Sequence, residues 1–385
     1  MNKGTKTWIA VAVIVAAALV VWGVFATRTP EAPSADNPIK VGFVGPLSGG
    51  PALWGEGARN MVELATKEIN QDGGIDGREL QVTYEDGKCT PADAVSAFQK
   101  LQRDGVDFVI GGHCSPETAG IVPLTKNGEA FIIAGITSSN EAVSDSEYAY
   151  RTSPPTRDFT DKLAGFAIDK YKTVAALTEQ AAFATSYTED FVKSYEAVGG
   201  SIAVNEAYQP EQTDFRTELL KVKDAAPDAL FVSPQSPTTA VNIVKQMQEL
   251  EINLPVFANS IAITPTVFEQ AGNPEALTGA FSIIPYTDPT GRKAAELTEK
   301  YKADFGTDVP YNYFYVSAAY DATHMLARAL GSAGQDVAGV RDEFKKMNYK
   351  GVSLDYTFKD NGDANFDSWA VISLTADGTT SVEPL

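Results

Sequence analysis

Histidine and cysteine are scarce: the 385 residues contain two of each. That excludes a histidine-rich metal centre and a scaffold built on disulfides. Basic charge is short as well, with 31 Lys and Arg against 50 Asp and Glu and a net charge of −19. A nucleic-acid partner needs a cationic footprint to neutralise its phosphates, and this chain does not offer one. No GxSxG turn, Walker A lysine loop or HExxH helix occurs. Gly55-Glu56-Gly57 opens a GxG but has no third glycine and no strand directly before it. A histidine-based triad would have to use His113, whose neighbour is Cys114, because His324 falls in a helical stretch. Asp363-x-Asn365-x-Asp367 starts like a calcium loop, yet its glycine is misplaced and no glutamate closes it, so it reads as a hairpin turn. No catalytic centre, metal site or cofactor is expected.

One long hydrophobic run is present, at the start. Lys3 and Lys6 precede apolar and small residues from Trp8 to Ala26, followed by the polar, proline-rich TRTPEAPSADNP. This is the layout of an export signal, and it is also just long enough to cross a bilayer as a helix. Val24-Phe25-Ala26 offers a small-x-small cleavage site, so a cleaved signal peptide and a retained membrane anchor both stay open. No cysteine stands directly after the run to carry a lipid. The positive-inside rule keeps Lys3 and Lys6 in the cytoplasm and sends the remainder outside, to the periplasm or the outer face of the membrane. In that oxidising compartment Cys89 and Cys114, each just after an expected strand, are placed to form a disulfide, two buried thiols being the alternative.

Length suggests two domains. From 39 to 284, β-rich runs alternate with helix-period segments. The first group of strands is VGFVG (41–45), LQVTYED (80–86), FVIGG (108–112) and FIIAG (131–135). The second is VAALT (174–178), SIAVNEAY (201–208), ALFVS (229–233), VFANS (256–260) and AFSII (280–284). Helical faces recur at 56–70 and 240–252. This spacing predicts an α/β protein of two doubly wound, Rossmann-like lobes with parallel sheets covered on both faces. Proline-rich joints at 151–158 and 284–289 predict two crossings between lobes, with a third near Val352. Helices are expected at 291–305, 312–330 and 336–347, then a β-hairpin around Asn361-Gly362 in 355–374. The expected organisation is a leader and linker over 1–37, a first lobe of 38–153 and 287–352, and a second lobe of 154–286 and 353–385.

Hydroxyls gather where strands end. PLSGG (46–50), HCSPET (113–118) and ITSSN (136–140) each follow a strand of the first lobe. In open parallel sheets, ligands bind at such carboxyl ends, and Ser115 and Ser138 are suited to donate to one anion. A single such residue would read as a helix cap; several facing a second lobe point to a small-molecule cleft.

These residues resemble the branched-chain amino-acid (Leu/Ile/Val-binding-like) type of periplasmic substrate-binding protein, the solute receptors of ABC importers. The carrying motifs are IKVGFVGPLSG (39–49), INQDGGIDGREL (69–80), Cys89-Thr90-Pro91 with Cys114-Ser115, VIGGHCSPET, TDFRTELLKVKDAAPDALFV (213–232) and AAYDATHMLARAL (318–330). The resemblance covers essentially all of 38–375. It implies a type I periplasmic-binding fold with three crossover hinge strands and a monomer that is not an enzyme. The implied partners are a small ligand, an ABC importer permease for amino-acid transport, and the membrane if residues 8–26 are retained. The chain also resembles the ligand-sensing ectodomains of signalling receptors, the rival reading.

Carried over residue by residue, the resemblance makes Ser115 the serine that meets a ligand carboxylate, completed by the backbone of Ile136 and the hydroxyl of Ser138. Trp54 falls where an aromatic wall covers the ligand, and Tyr187 where a tyrosine of the second lobe closes on it. Gln235 stands where relatives often carry another aromatic, and Ser260 where amino-acid binders hold an acid for the ammonium group. Either Glu179, at the end of strand VAALT, takes over that charge, or the ligand lacks an amine and is a carboxylate, an amide or an aromatic acid.

Overall fold

Alternation along the strands decides how the first sheet is covered. The computed structural model describes residues 34–272, 274–286, 291–310 and 313–385; the hydrophobic run at 8–26 lies outside them. Strands β1 (Ser34–Gly45), β2 (Arg78–Asp86), β3 (Phe108–Gly111), β4 (Phe131–Ala134) and β5 (Ala149–Arg151) form one parallel sheet in the order β2-β1-β3-β4-β5. Phe43, Phe108, Ile110, Phe131 and Ile133 face one core, while Val44, Val109 and Ile132 face another. Two cores on one sheet require helices on both sides. Helices α1 (Ala52–Gln71), α2 (Pro91–Arg103) and α3 (Ser115–Ile121) follow β1, β2 and β3 in turn.

The second lobe repeats the plan. It opens with α4 (Thr156–Ile168), and between its strands run α5 (Ala182–Ala197), α6 (Arg216–Ala225), α7 (Pro237–Glu249), α8 (Pro265–Ala271) and α9 (Pro274–Leu277). Its sheet takes β6 (Thr173–Glu179), β7 (Ser201–Tyr208), β8 (Ala229–Ser233), β9 (Val256–Ala258) and β10 (Phe281–Pro285) in the order β10-β9-β8-β6-β7. Phe231, Phe257 and Phe281 stand in register on three adjacent strands with ring centres 5.4 and 5.3 Å apart. Each such fully buried side chain contributes about 1.5–3 kcal/mol. Helix starts follow a shared chemistry: Thr90, Ser236 and Thr264 each accept the N–H three residues on, with proline at the first helical position. That pairing starts α7 at Pro237, earlier than the apolar face at 240–252 suggests.

The chain then returns to the first lobe through α10 (Arg292–Phe305), α11 (Tyr313–Ala333) and α12 (Val337–Lys345), with α11 packed along α1. A short ladder of β11 (Tyr349–Lys350) and β12 (Asp355–Tyr356) follows. Among the described residues, no helix is long and apolar enough to cross a membrane.

The last segment differs from the sequence reading in three ways. The expected hairpin is reduced to a turn at 359–363 with a single Phe358–Ala364 bridge. The strand beyond it, β13 (Trp369–Leu374), instead pairs antiparallel with β10 and with an additional β14 (Thr380–Pro384), so the second sheet is mixed. Burial decides this, because Trp369 to Val371 are buried and a free hairpin would leave them in water. The third crossing also falls later than Val352: Tyr356 and Ala364 pack in the first core, Trp369 in the second, and Phe366 touches both. At the other end, β1 starts at Ser34, inside the segment read as linker.

A buried ion pair joins these pieces. Arg151, closing β5, has no exposed surface; its Nε donates to Asp363 Oδ1 at 2.7 Å and its Nη1 to the Ser139 carbonyl at 2.6 Å. The Nη2 group reaches the Asn140 carbonyl at 3.1 Å. Removing one partner of a buried pair leaves an uncompensated charge. Asp363→Ala should therefore destabilise the protein by about 3–5 kcal/mol in urea unfolding, whereas loss of the exposed Lys126–Asp145 pair should cost under about 1 kcal/mol.

Candidate functional site

Both sheets reverse their winding next to their first strand. In the order β2-β1-β3 the chain leaves β1 to one side and resumes at β3 on the other; β7-β6-β8 repeats this in the second lobe. Loops diverge at such points and leave a crevice at the carboxyl ends of the strands. The loops after β3 and β4 and those after β6, β8 and β9 supply the site.

Glycine makes the first of these turns possible. A Cβ on Gly111, at φ 148°, would lie 2.2 Å from the Val44 carbonyl oxygen, and Gly112 also has positive φ. The chain can then swing into His113, Cys114 and Ser115. Cys114 is bonded to Cys89 with a Cα–Cα distance of 5.4 Å, tying the loops after β2 and β3. The buried Glu117 carboxylate braces the same corner, accepting the Cys89 N–H at 2.9 Å and the Cys114 N–H at 3.1 Å. Burial outweighs these bonds and pushes its pKa up to about 7. His113 is buried against Phe43, which drives its pKa down to about 3, and its Nε2 has no hydrogen-bond partner. The two groups from which a nucleophile and base would be assembled are therefore a bridged sulfur and a neutral core imidazole.

Ser115 is the centre of the first-lobe half. Its Oγ accepts the backbone N–H of Ser138 at 3.0 Å and of Ser139 at 3.1 Å, and the Thr137 hydroxyl donates to it at 3.3 Å. Its own proton is left to donate into the cleft. Ser138 Oγ shares a 2.5 Å hydrogen bond with Ser153 Oγ. Ser48 turns away to the Asp86 carboxylate at 2.5 Å, so that loop contributes Gly50 and Pro51 to the outer cleft instead.

A tight inner pocket, with about 20 Å³ of free volume, forms where the lobes meet. The first lobe lines it with Cys114, Ser115, Ile136 and Ser138, the second with Phe183, Gln235, Ser260 and Ile261, and Tyr315 of α11 closes the junction. Ser260 Oγ donates to the Tyr315 hydroxyl at 3.0 Å. None of these side chains is an acid or a base near neutral pH; burial raises the Tyr315 phenol far above its ordinary value. A larger outer space of about 550 Å³ adjoins it and shares Gln235. Glu179 lines that outer space, where its Oε2 accepts the Gln235 N–H at 2.9 Å.

Of the residues singled out in the sequence, Ser115, Ile136, Ser138, Gln235 and Ser260 converge on the inner pocket and Glu179 on the outer one. Trp54 lies in the first turn of α1, its side chain outside those described. Tyr187 does not reach the cleft: it is 2% exposed and stacks over Phe231 in the second core. Phe183, one turn earlier on the same face of α5, stands in front of it at 5.5 Å and meets the pocket instead. Its signal is present in the sequence, an aromatic among small residues in the first turn after a strand. Tyr315 has no such signal, because the packing of α11 between the lobes decides it; Ile261 is simply the neighbour of Ser260 in the loop after β9.

Two doubly wound lobes, three crossings and a hydroxyl-lined pocket between facing crevices define a clamp for a small solute. The chain belongs to the periplasmic binding protein family, whose profile matches residues 38–379. The leucine-, isoleucine-, valine-, threonine- and alanine-binding protein of Pseudomonas aeruginosa is 24% identical over 338 residues, covering 86% of this chain and 89% of that protein. Among solved structures, the fold matches the branched-chain amino acid transporter substrate binding protein of Streptococcus pneumoniae in complex with isoleucine, with TM-score 0.81 and 24% identity over 91% of this chain and 99% of that one. It also matches a solute binding protein of an ABC transporter from Rhodopseudomonas palustris in complex with 3,4-dihydroxy benzoic acid, with TM-score 0.79 and 22% identity over 90% and 96%. The fold is the type I periplasmic binding fold, as the resemblance implied.

The pH response of the Glu117 corner follows from its sign. Between about 4.5 and about 7 the folded carboxyl keeps a proton that the unfolded chain has lost, so its contribution to stability falls as pH rises through that window. Glu117→Gln removes the loss. The stability of the variant relative to wild type should rise from pH 4.5 to pH 7 in urea unfolding at stepped pH; a constant difference would mean that Glu117 is ionised when folded.

Proposed function

We propose that this protein is an exported solute-binding protein. It captures a small carboxylate- or amide-bearing ligand, an amino acid or related compound, between its lobes and delivers it to the permease of an ABC importer. The observation that carries this reading is the Ser115 hydroxyl, which accepts two backbone N–H groups and so has its proton free for an acceptor in the inner pocket. A carboxylate held by hydroxyl and amide donors needs no cation nearby. Isoleucine and 3,4-dihydroxy benzoic acid, bound by the two structural relatives, have a carboxylate as their common charged group.

Capture follows from the two-lobe geometry. Donors on the first lobe and the Phe183, Gln235 and Ser260 side of the second contact one molecule only when the lobes are together. A ligand that makes both sets of contacts shifts the hinge equilibrium toward the closed form, which is the form a permease would recognise. The export segment at 8–26 supports placement in the periplasm or on the outer face of the membrane.

Calorimetric titration with a panel of amino acids, aromatic acids and small amides tests the reading. At least one carboxylate should bind, and Ser115→Ala should weaken it by about 1–3 kcal/mol, the cost of an unsatisfied charged acceptor. Binding of no panel member by folded protein, or an unchanged affinity in the variant, counts against it.

A further inference from the structure

The inner pocket and the outer space differ in charge, and the difference bears on the ligand. No acid lines the inner pocket, where the carboxylate would sit. An ammonium beside that carboxylate, as in an α-amino acid, would meet only neutral acceptors there, the hydroxyls of Ser260 and Tyr315 and the Gln235 side chain. A buried cation without an anionic partner is strongly disfavoured.

The acid stands further out. Glu179 is 5% exposed, and among the described residues its carboxylate accepts one hydrogen bond, from the backbone N–H of Gln235. Burial raises its pKa with no cation to oppose the shift. Gln235 adds a second observation. Its side chain, 8% exposed, lines both spaces, and its Oε1 is buried without a hydrogen-bond donor. Two acceptors thus meet at one wall, each short of donors. Lys88, across the outer space, is held by Asp93 at 3.2 Å and leaves Glu179 unneutralised; Glu211 adds a further negative charge on the rim. Ammonium, amidinium and guanidinium groups carry several donors and a positive charge, which is what this wall lacks.

We infer that the ligand is an elongated acid whose cationic nitrogen lies several atoms from its carboxylate: the carboxylate end is held at Ser115, and the far nitrogen by the Glu179 carboxylate and Gln235 Oε1. This rests on the carboxylate reading above and narrows it to terminally aminated or guanidinated acids over α-amino acids. Glu179 is then a specificity-determining residue, facing ligand from the switch point of the second sheet.

Calorimetric titration of the full chain with three series decides it: unsubstituted straight-chain acids of four to six carbons, their terminal-amino derivatives, and their 2-amino isomers. For at least one length the terminal amine should raise affinity tenfold or more over the unsubstituted acid, while the 2-amino isomer gains nothing. Glu179→Gln, which preserves an acceptor for the Gln235 N–H, should erase that gain and leave the unsubstituted acid unchanged. Preference for the 2-amino isomer, equal affinity across the series, or equal weakening of all acids in the variant overturns the inference while leaving carboxylate capture standing. Failure of every acid, in these series and in the wider panel above, overturns both. Should the variant fail to fold, the wild-type comparison across the three series supports or overturns the inference by itself.

Discussion

The cleft depends on one buried guanidinium. Arg151 ends the last strand of the first sheet, and its side chain is shared between the Asp363 carboxylate and the carbonyls of Ser139 and Asn140. Burial pulls its pKa down and Asp363 pushes back, so charge and counter-charge must stay together. The pair therefore joins the returning chain to the loop after β4. That loop, held from behind, presents the N–H groups of Ser138 and Ser139 to Ser115. Its far end reaches the second lobe, where Asn140 Nδ2 donates to Asp190 at 2.6 Å and Thr156 Oγ1 donates to the same carboxylate at 2.5 Å. Hinge, donor loop and lobe contact are one connected polar network.

Charge is distributed unevenly between surface and site. The chain is strongly acidic as a whole, yet the inner pocket carries no charged side chain. Overall acidity governs what approaches the surface at long range and is screened within about 10 Å in ordinary salt. Inside the pocket, hydroxyls and amides a few ångströms from a ligand decide its sign. Buried carboxylates are placed elsewhere for other work: Glu117 braces the disulfide corner, and Asp321 holds the N–H groups of Val352 and Ser353. Of these two and Glu179, only Glu179 lines the cleft.

Much of the fold is legible in the sequence because its strands are short, apolar and separated by amphipathic helices. Runs such as SIAVNEAY and ALFVS coincide with β7 and β8 at both ends, since polar or turn residues bound them. The tail departs from its sequence pattern for a physical reason. Asn361-Gly362 does make a turn, but local turn chemistry cannot say which edge a following strand will join. The buried face of β13 meets β10, far earlier in the chain, and draws β14 after it. The disulfide needs only a compartment and two strand ends, both visible in the sequence.

The site divides along the same line. Ser115 and Ser138 follow strand ends, and strand ends are set by local pattern, so the sequence by itself points to a cleft there, whereas Ile136, Gln235 and Ser260 are marked only by the family resemblance. Whether Phe183 or Tyr187 faces that cleft was decided only by tertiary structure. Both lie on one helical face, and the depth of α5 against Phe231 chooses between them. Tyr315 enters for a similar reason, through a helix that returns from the far side of a crossing. The charge asymmetry between inner and outer spaces is likewise a product of the tertiary structure, because burial and the absence of a partner are properties of three-dimensional packing.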